Sequence, residues 1–424
     1  MGGVEAPATG SSDGSAGGAD GSSGGVDGSS AGADGQAARD AAGLRTAVAL
    51  ARGGLVEREL LAEVVALCAV AGEHLLVIGP PGTAKSEAVR RVAVRLGGRY
   101  FEYILGRFTE PNEIFGPIDL RRLRDGVVEV ETAGMLPEAD IAFLDEVFLG
   151  STAILNTLLS ILNERTFRRG RTAMACPLRV CVGAANVLPE DPTLAAFADR
   201  FLARVFVEPV PDARLEELLR TGWNAGSDDE VALPGASMSA TPPPGSAAGD
   251  LLGAVDRLAA MARRCDLAAV QPTVGVAVRR MRAAGIPLSD RRAVRSQRLV
   301  AAAAALDGRA GATAADLWVL PLVAPTADAQ ATARETLSDL LGSSRNGTLV
   351  MAAEELSRSR SARADRLLSQ GESLLAGVGE APPELDDRLR LEAMLREIDS
   401  GFAEPDLPAM LAQVRARLVA VVQS

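Results

Sequence analysis

At 424 residues the chain is too long for one small domain and about right for two or three. Apolar residues make up 47 % and charged residues 23 %, which allows a sizeable core and excludes wholesale disorder. A net charge of −11 argues against a broad nucleic-acid or anionic-membrane footprint while leaving room for a local basic channel.

Residues 1–36 are mostly Gly, Ser, Ala and Asp, with Asp-Gly recurring at Asp13, Asp20, Asp27 and Asp34. So little apolar surface cannot offset the entropy of ordering, and a disordered acidic tail is expected. Ala41 to Arg52 and Val56 to Val70 carry apolar residues at helical spacing. From His74 the pattern alternates: strand His74–Gly79, helix Ser86–Leu96, strands Tyr100–Leu105 and Ile141–Leu144, helix Ala153–Glu164, strand Leu178–Ala184, helix Leu194–Arg204, strand Val205–Val210. Buried strands alternating with helices predict an α/β domain over residues 37–220, with a mostly parallel sheet covered on both faces. Residues 221–250, with the run Pro242-Pro-Pro-Gly, read as a flexible linker. Beyond it only helices are expected, as an all-α lid over 251–326 and a helical bundle or hairpin over 327–424.

No apolar run approaches the roughly 18 residues of a membrane span, and no charged-then-apolar leader opens the chain, so a cytoplasmic protein is expected. The four cysteines, Cys68, Cys176, Cys181 and Cys265, have no CxxC spacing and read as buried free thiols. His74 is the only histidine, which removes a Ser-His-Asp triad, an HExxH metalloprotease and any multi-histidine metal site.

The run Gly79, Pro80, Pro81, Gly82, Thr83, Ala84, Lys85, Ser86 lies between an apolar strand and a helix, where a P-loop must lie. Amides at that helix start, with the helix dipole, make a concave anion site. Lys85 would then reach the β- and γ-phosphates and Ser86 would ligate Mg²⁺. Of the 44 basic residues only Lys85 is a lysine, and a compact ammonium fits between phosphates where a planar guanidinium is bulkier. Ala84 replaces the usual last glycine, a mild departure if its φ is negative. Ile141 to Leu144 is the matching strand, delivering Asp145 to hold Mg²⁺ and Glu146 to orient and deprotonate the water attacking the γ-phosphate. Asn186, at the tip of the strand ending in Ala184, either polarises that water or serves the turn, since turn chemistry also favours Asn. Arg200 and Arg204 follow Asp199, and among so many arginines local reading does not decide their role.

These residues carry a family resemblance. The span Gly79 to Pro209 resembles the AAA+ core of the MoxR family, closest to its RavA-type branch. Besides the P-loop, the carriers are RFTEPNEIFGPIDL (Arg107 to Leu120), LPEADIAFLDEVFLGSTAILNTLLSILNERTFRRG (Leu136 to Gly170) and AANVLPE (Ala184 to Glu190). The resemblance covers Leu55 to Pro209 strongly and Leu251 to Ala324 more loosely. It implies a ring-forming ATPase, typically a hexamer, using ATP and Mg²⁺ at subunit boundaries. It implies Asn186 as sensor 1, Arg200 as the arginine finger with Arg204 in reserve, and Arg291 as sensor 2 with Arg292 as alternate. Hairpins over Asp119–Glu131 and Thr166–Pro177 would face the pore or a partner. Family members often act with a von Willebrand A domain protein in chaperone-like or maturation roles. RavA-type proteins carry a β-rich domain beyond the lid, whereas this chain shows only helices after Asp328, so recognition through such a domain does not carry over.

Three functional readings follow: ATP hydrolysis coupled to remodelling of a protein partner, a nucleotide-gated assembly scaffold with incidental hydrolysis, and a chelatase-like ATPase subunit. Adenine specificity has no readable pocket. His74, beside the P-loop strand, could touch the base edge, though packing is its more ordinary use.

Overall fold

The computed structural model describes residues 28–169, 171–211, 214–225, 238–240, 251–358, 360–378, 385–402 and 407–423. Helices α1 (Gly28–Arg52) and α2 (Glu59–Ala71) lead into β1 (Leu75–Ile78), α3 (Lys85–Leu96), β2 (Gly98–Ile104) and the short α4 (Pro111–Phe115) and α5 (Leu120–Arg124). Next come β3 (Ile141–Asp145), α6 (Thr152–Glu164), β4 (Thr166–Arg169), β5 (Thr172–Ala175), β6 (Val180–Ala185), α7 (Pro192–Ala198), β7 (Ala203–Phe206), α8 (Leu215–Ala225) and β8 (Met238–Ala240). The elements described beyond it are helical: α9 (Leu251–Arg263), α10 (Gln271–Ala283), α11 (Asp290–Leu306), a 3₁₀ stretch Ala314–Val323, α12 (Ala327–Thr336), α13 (Ser338–Leu341), α14 (Val350–Ser357), α15 (Arg360–Val378), α16 (Leu385–Gly401) and α17 (Ala409–Gln423).

The main sheet has the order β7-β1-β6-β3-β2-β8, with the first five strands parallel and β8 antiparallel to β2. Successive side chains of a strand point to opposite faces, and here both faces are covered. Leu75 and Val77 of β1 enter one core with Ile141 and Phe143 of β3; Leu76 and Ile78 enter the other with Ala142 and Leu144. That double burial is why these strands are continuous apolar runs. Helices α1 to α3 cover the first face, and α6 and α7 the second. The α/β core, lid helices and helical C-terminal region therefore match the expected fold.

Several boundaries differ from expectation. Helix α1 begins at Gly28, inside the stretch expected as tail; residues 1–27 lie outside the described residues. Helix α8 crosses residue 220, and Met238–Ala240 of the expected linker adds a strand to the edge of the sheet, while 226–237 and 241–250 lie outside the described residues. Helix α7 stops at Ala198, so Arg200 sits in a turn and Arg204 within β7 rather than on the expected helix through Arg204. The lid does not have a core of its own. Helices α9 and α11, the 3₁₀ stretch and residues of α12 to α14 merge into the core of α1 to α3, and Leu299 to Leu306 is buried all round. Among the described residues α15 to α17 form a cluster of their own, through Leu367, Leu391, Ile398, Leu411 and Leu418.

Both expected hairpins are present. Asp119 N donates to Glu129 O (2.9 Å) and Glu131 N to Pro117 O (2.9 Å), enclosing α5; β4 and β5 pair antiparallel. Val130 N donates to Thr172 Oγ1 at 2.9 Å and Arg171 N to Val128 O at 3.2 Å, so the hairpins brace each other.

Candidate nucleotide site

The strand order puts three loop ends side by side. Strand β6 lies between β1 and β3, with Ile78 opposite Ala185 and Leu144 opposite Gly183, so the residues following each strand meet at the C-terminal edge of the sheet. Ligands of open parallel sheets bind at this edge, because the strands end there and the following helices point their amino ends at it.

The loop after β1 is tightly tied. Gly79 N donates to Ala185 O at 3.1 Å, and a Cβ on Gly79 would stand 2.2 Å from Val207 O, so only glycine fits. Gly82 has φ +74°, and a Cβ there would meet nothing within 4 Å, so the cradle is open on that side. Thr83 Oγ1 donates to Pro80 O at 2.8 Å. Ala84, the residue before α3, has φ +54° and ψ 32°. The expected negative φ is therefore corrected: the alanine occupies the left-handed region, at a cost of about 1–2 kcal/mol relative to ordinary helical backbone.

Lys85 opens α3 and is buried, its Nζ donating to Gly79 O (2.8 Å) and Pro80 O (3.0 Å). Burial lowers the pKa of the ammonium, and Asp145 and Glu146 oppose that shift. Ser86 follows on the same turn, half-buried. Asp145 ends β3, its Oδ1 accepting the Glu146 N–H at 2.9 Å. Glu146 is itself left-handed, at φ +49°, and its Oε1 accepts Asn186 Nδ2 at 2.6 Å. Lys85, Asp145, Glu146 and Asn186 thus meet at this edge, with the Asn186 side chain bonded to Glu146 rather than to its own turn.

This set suits a magnesium–nucleoside triphosphate. A buried cation with only carbonyls for partners and an open glycine-lined cradle are what a polyphosphate needs. Gly79 to Ser86 would hold the phosphates, and Ser86 with Asp145 the Mg²⁺, which would supply charge neutralisation on the phosphate oxygens.

The arginines assigned by resemblance lie elsewhere. Arg292 donates to Phe201 O (3.1 Å) and Leu202 O (2.6 Å), just before β7. Since Ala203 pairs with Leu75, those carbonyls lie at the amino end of β1, opposite the P-loop. Arg291, on the same turn, donates to Asn163 Oδ1 at 2.9 Å and lines a cavity of about 1080 Å³ between that edge and α9 and α11. Burial lowers its pKa, and so does the charge of nearby Arg200. Arg200 has a buried Nε with no hydrogen-bond partner. Within one chain, then, neither Arg200 nor Arg291 is brought to the P-loop edge. Arg204 donates to Pro325 O (2.5 Å), and burial lowers its pKa to about 10; Arg204 and the alternate Arg292 both stitch the lid to the core through carbonyls.

His74 does not face a base. It is buried at the amino end of β1, with Nδ1 accepting Cys181 N–H at 3.0 Å and Nε2 lying 2.9 Å from Leu162 O and against the Arg165 guanidinium. Burial and the neighbouring Arg165 push its pKa well below the usual histidine value. Sequence reasoning also missed Arg58, whose buried guanidinium donates to Thr83 O in the P-loop; one arginine beside two glutamates gave no local signal.

Comparison with known proteins agrees with this geometry. Residues 42–240 match the family model described as the MoxR domain in the MoxR-vWA-beta-propeller ternary systems, and residues 275–333 match the AAA lid domain. An uncharacterized protein of Methanocaldococcus jannaschii is 34 % identical over 270 residues, covering 62 % of this chain and 65 % of its own. A second from the same organism is 43 % identical over 156 residues, covering 37 % and 42 %, and a structural protein of Acidianus two-tailed virus is 33 % identical over 153 residues, covering 35 % and 25 %. The chain thus spans less than two thirds of the length of each of these relatives. A solved chain from Cytophaga hutchinsonii, whose assignment as an ATPase is itself provisional, shares the fold with TM-score 0.56 at 15 % identity, over 74 % of this chain and 97 % of that one.

Proposed function

Proceeding from a MoxR-family AAA+ protein, which the family matches and the shared fold support, we propose that this chain hydrolyses ATP with Mg²⁺ and couples turnover to remodelling or maturation of a protein partner. The observation that carries the reading is the meeting of Lys85, Asp145, Glu146 and Asn186 at one sheet edge. Glu146 orients and takes a proton from the attacking water, Asn186 holds the carboxylate in place, and Lys85 neutralises phosphate charge. The motif strings favour the RavA-type branch.

Assembly into a ring, hexameric by family resemblance, is part of the same proposal. Arg200 lies on the side of the core away from its own P-loop, as a residue acting on a neighbouring copy's nucleotide must, and Arg291, proposed as sensor 2, lies near it. A von Willebrand A domain protein is the proposed partner, supported by the description of the matched family. A cytoplasmic setting is also proposed, consistent with four unpaired cysteines. Among the described residues no helix is long and apolar enough to cross a membrane.

The test is Glu146→Gln. It should bind Mg-ATP like the parent and release no phosphate; normal turnover would remove Glu146 as the base. The scaffold reading draws on the α15–α17 region, which has a hydrophobic cluster of its own. Partner-stimulated turnover supports the remodeller, and undiminished biological function from Glu146→Gln supports the scaffold.

A further inference from the structure

Every amide aimed into an anion cradle leaves a carbonyl aimed out of it, because the N–H and C=O of one trans peptide point in opposite directions. Buried outward carbonyls need donors, and in a P-loop the helix cannot supply them all. Here the carbonyl of Thr83 is met by Arg58. Its Nε donates to Thr83 O at 2.6 Å, its Nη1 to Glu57 O at 2.5 Å and its Nη2 to Glu208 O at 2.7 Å. These oxygens belong to the entrance of α2, the P-loop and the chain just after β7. The guanidinium is buried and lies close enough to Lys85 for the two charges to repel.

We propose that Arg58 is a positioning residue for the phosphates: by holding the Thr83 carbonyl outward it keeps the Ala84 N–H turned into the cradle, and it sets a second fixed positive charge behind Lys85. The neighbouring backbone explains why an anchor is required. Ala84 has φ +54°, a conformation that an alanine leaves unless its surroundings hold it there. The fixed fork of Arg58 donates to three carbonyls at once, whereas a lysine ammonium on a flexible stem keeps the charge without the fork.

The inference rests on the ATPase reading, and its test separates the two. Mg-ATP, Mg-tripolyphosphate and AMP are titrated calorimetrically into the full-length parent, Arg58→Met and Arg58→Lys, with thermal melting of each ligand-free protein. Arg58→Met should weaken Mg-ATP and tripolyphosphate binding by about ten- to a hundredfold, the scale of one hydrogen bond from a charged donor. AMP, lacking the β- and γ-phosphates, should be weakened by less than about threefold. Arg58→Lys should lose binding in the same sense by a smaller factor. A merely structural role would lower the melting temperature and weaken all three ligands alike, and that outcome overturns the proposal. Parent-like affinity for Mg-ATP in either folded variant overturns it as well. If Arg58→Met does not fold, Arg58→Lys decides by the same comparison. A parent that takes up no Mg-ATP refutes the ATPase reading itself.

Discussion

Asn186→Ala tests whether the meeting of β6 and β3 is catalytic. In the structure the Asn186 amide donates to Glu146 Oε1 at 2.6 Å, and Glu146 stands in the left-handed backbone region at φ +49°. A carboxylate on strained backbone drifts when its donor is removed, so the water loses its orienting base while the P-loop, braced by Arg58 and by Gly79 N to Ala185 O, keeps its shape. A hydrogen bond to a charged group contributes about 1.5–3 kcal/mol. At about 1.4 kcal/mol per decade of rate, kcat should fall by roughly ten- to a hundredfold. Phosphate release against Mg-ATP concentration gives kcat, and calorimetry gives Kd, which should stay within about threefold of the parent because ground-state phosphate contacts are untouched. Asn186→Asp should be worse, since two carboxylates at that separation cannot both stay ionised. Parent-like kcat for Asn186→Ala, or loss of nucleotide binding with kcat retained at saturation, would refute the assignment.

Lys85→Ala should abolish Mg-ATP uptake, because a point charge facing both carbonyls and phosphates has no substitute in the loop; unchanged calorimetric heat would count against the whole site. Ala84→Gly relieves left-handed strain but frees the unfolded chain, for a net stabilisation of about 0.5–1 kcal/mol in denaturant midpoint; a destabilised variant would contradict the backbone geometry. If Arg200 acts across a subunit boundary, Arg200→Ala and Glu146→Gln should each be inactive alone and recover turnover when mixed, since each supplies what its neighbour lacks; a mixture as inactive as its parts would sink the ring. Finally, the imidazole of His74 should stay neutral below the usual histidine pKa, so its single NMR signal should not titrate between pH 7.5 and 5.5. The unfolded chain takes up that proton first, which costs stability at about 1.4 kcal/mol per pH unit as pH falls below about 6.5. Glu63, buried and pushed up to about 7, works in the opposite sense: stability falls as pH rises from its unfolded value toward 7. In Glu63→Gln the His74 slope should therefore stand out in melting curves, and a flat profile there would contradict the burial of the ring.

Local pattern was enough for much of this molecule. Short apolar runs that alternate with amphipathic helical stretches read as strands, so β1, β3 and β6 were legible along with the loop and the carboxylates at their ends. Adjacency of those ends follows once the strands are parallel, because every carboxyl end then lies on one edge. What depended on packing was hidden. The left-handed φ at Ala84 is one such feature, and the carbonyl before it is met by Arg58, 25 residues away in the chain and 150 from another of the carbonyls it holds. The lid reads as a separate unit because helical periodicity does not say which helix will cover a buried face, and only the fold puts Leu299 to Leu306 into the core of α1 to α3. His74 sits next to the P-loop strand in sequence yet at its far end in space, with Arg291 and Arg200 on that same side. A strand transports neighbours in the chain to opposite edges of a sheet, and no spacing rule records which edge a side chain from elsewhere will meet.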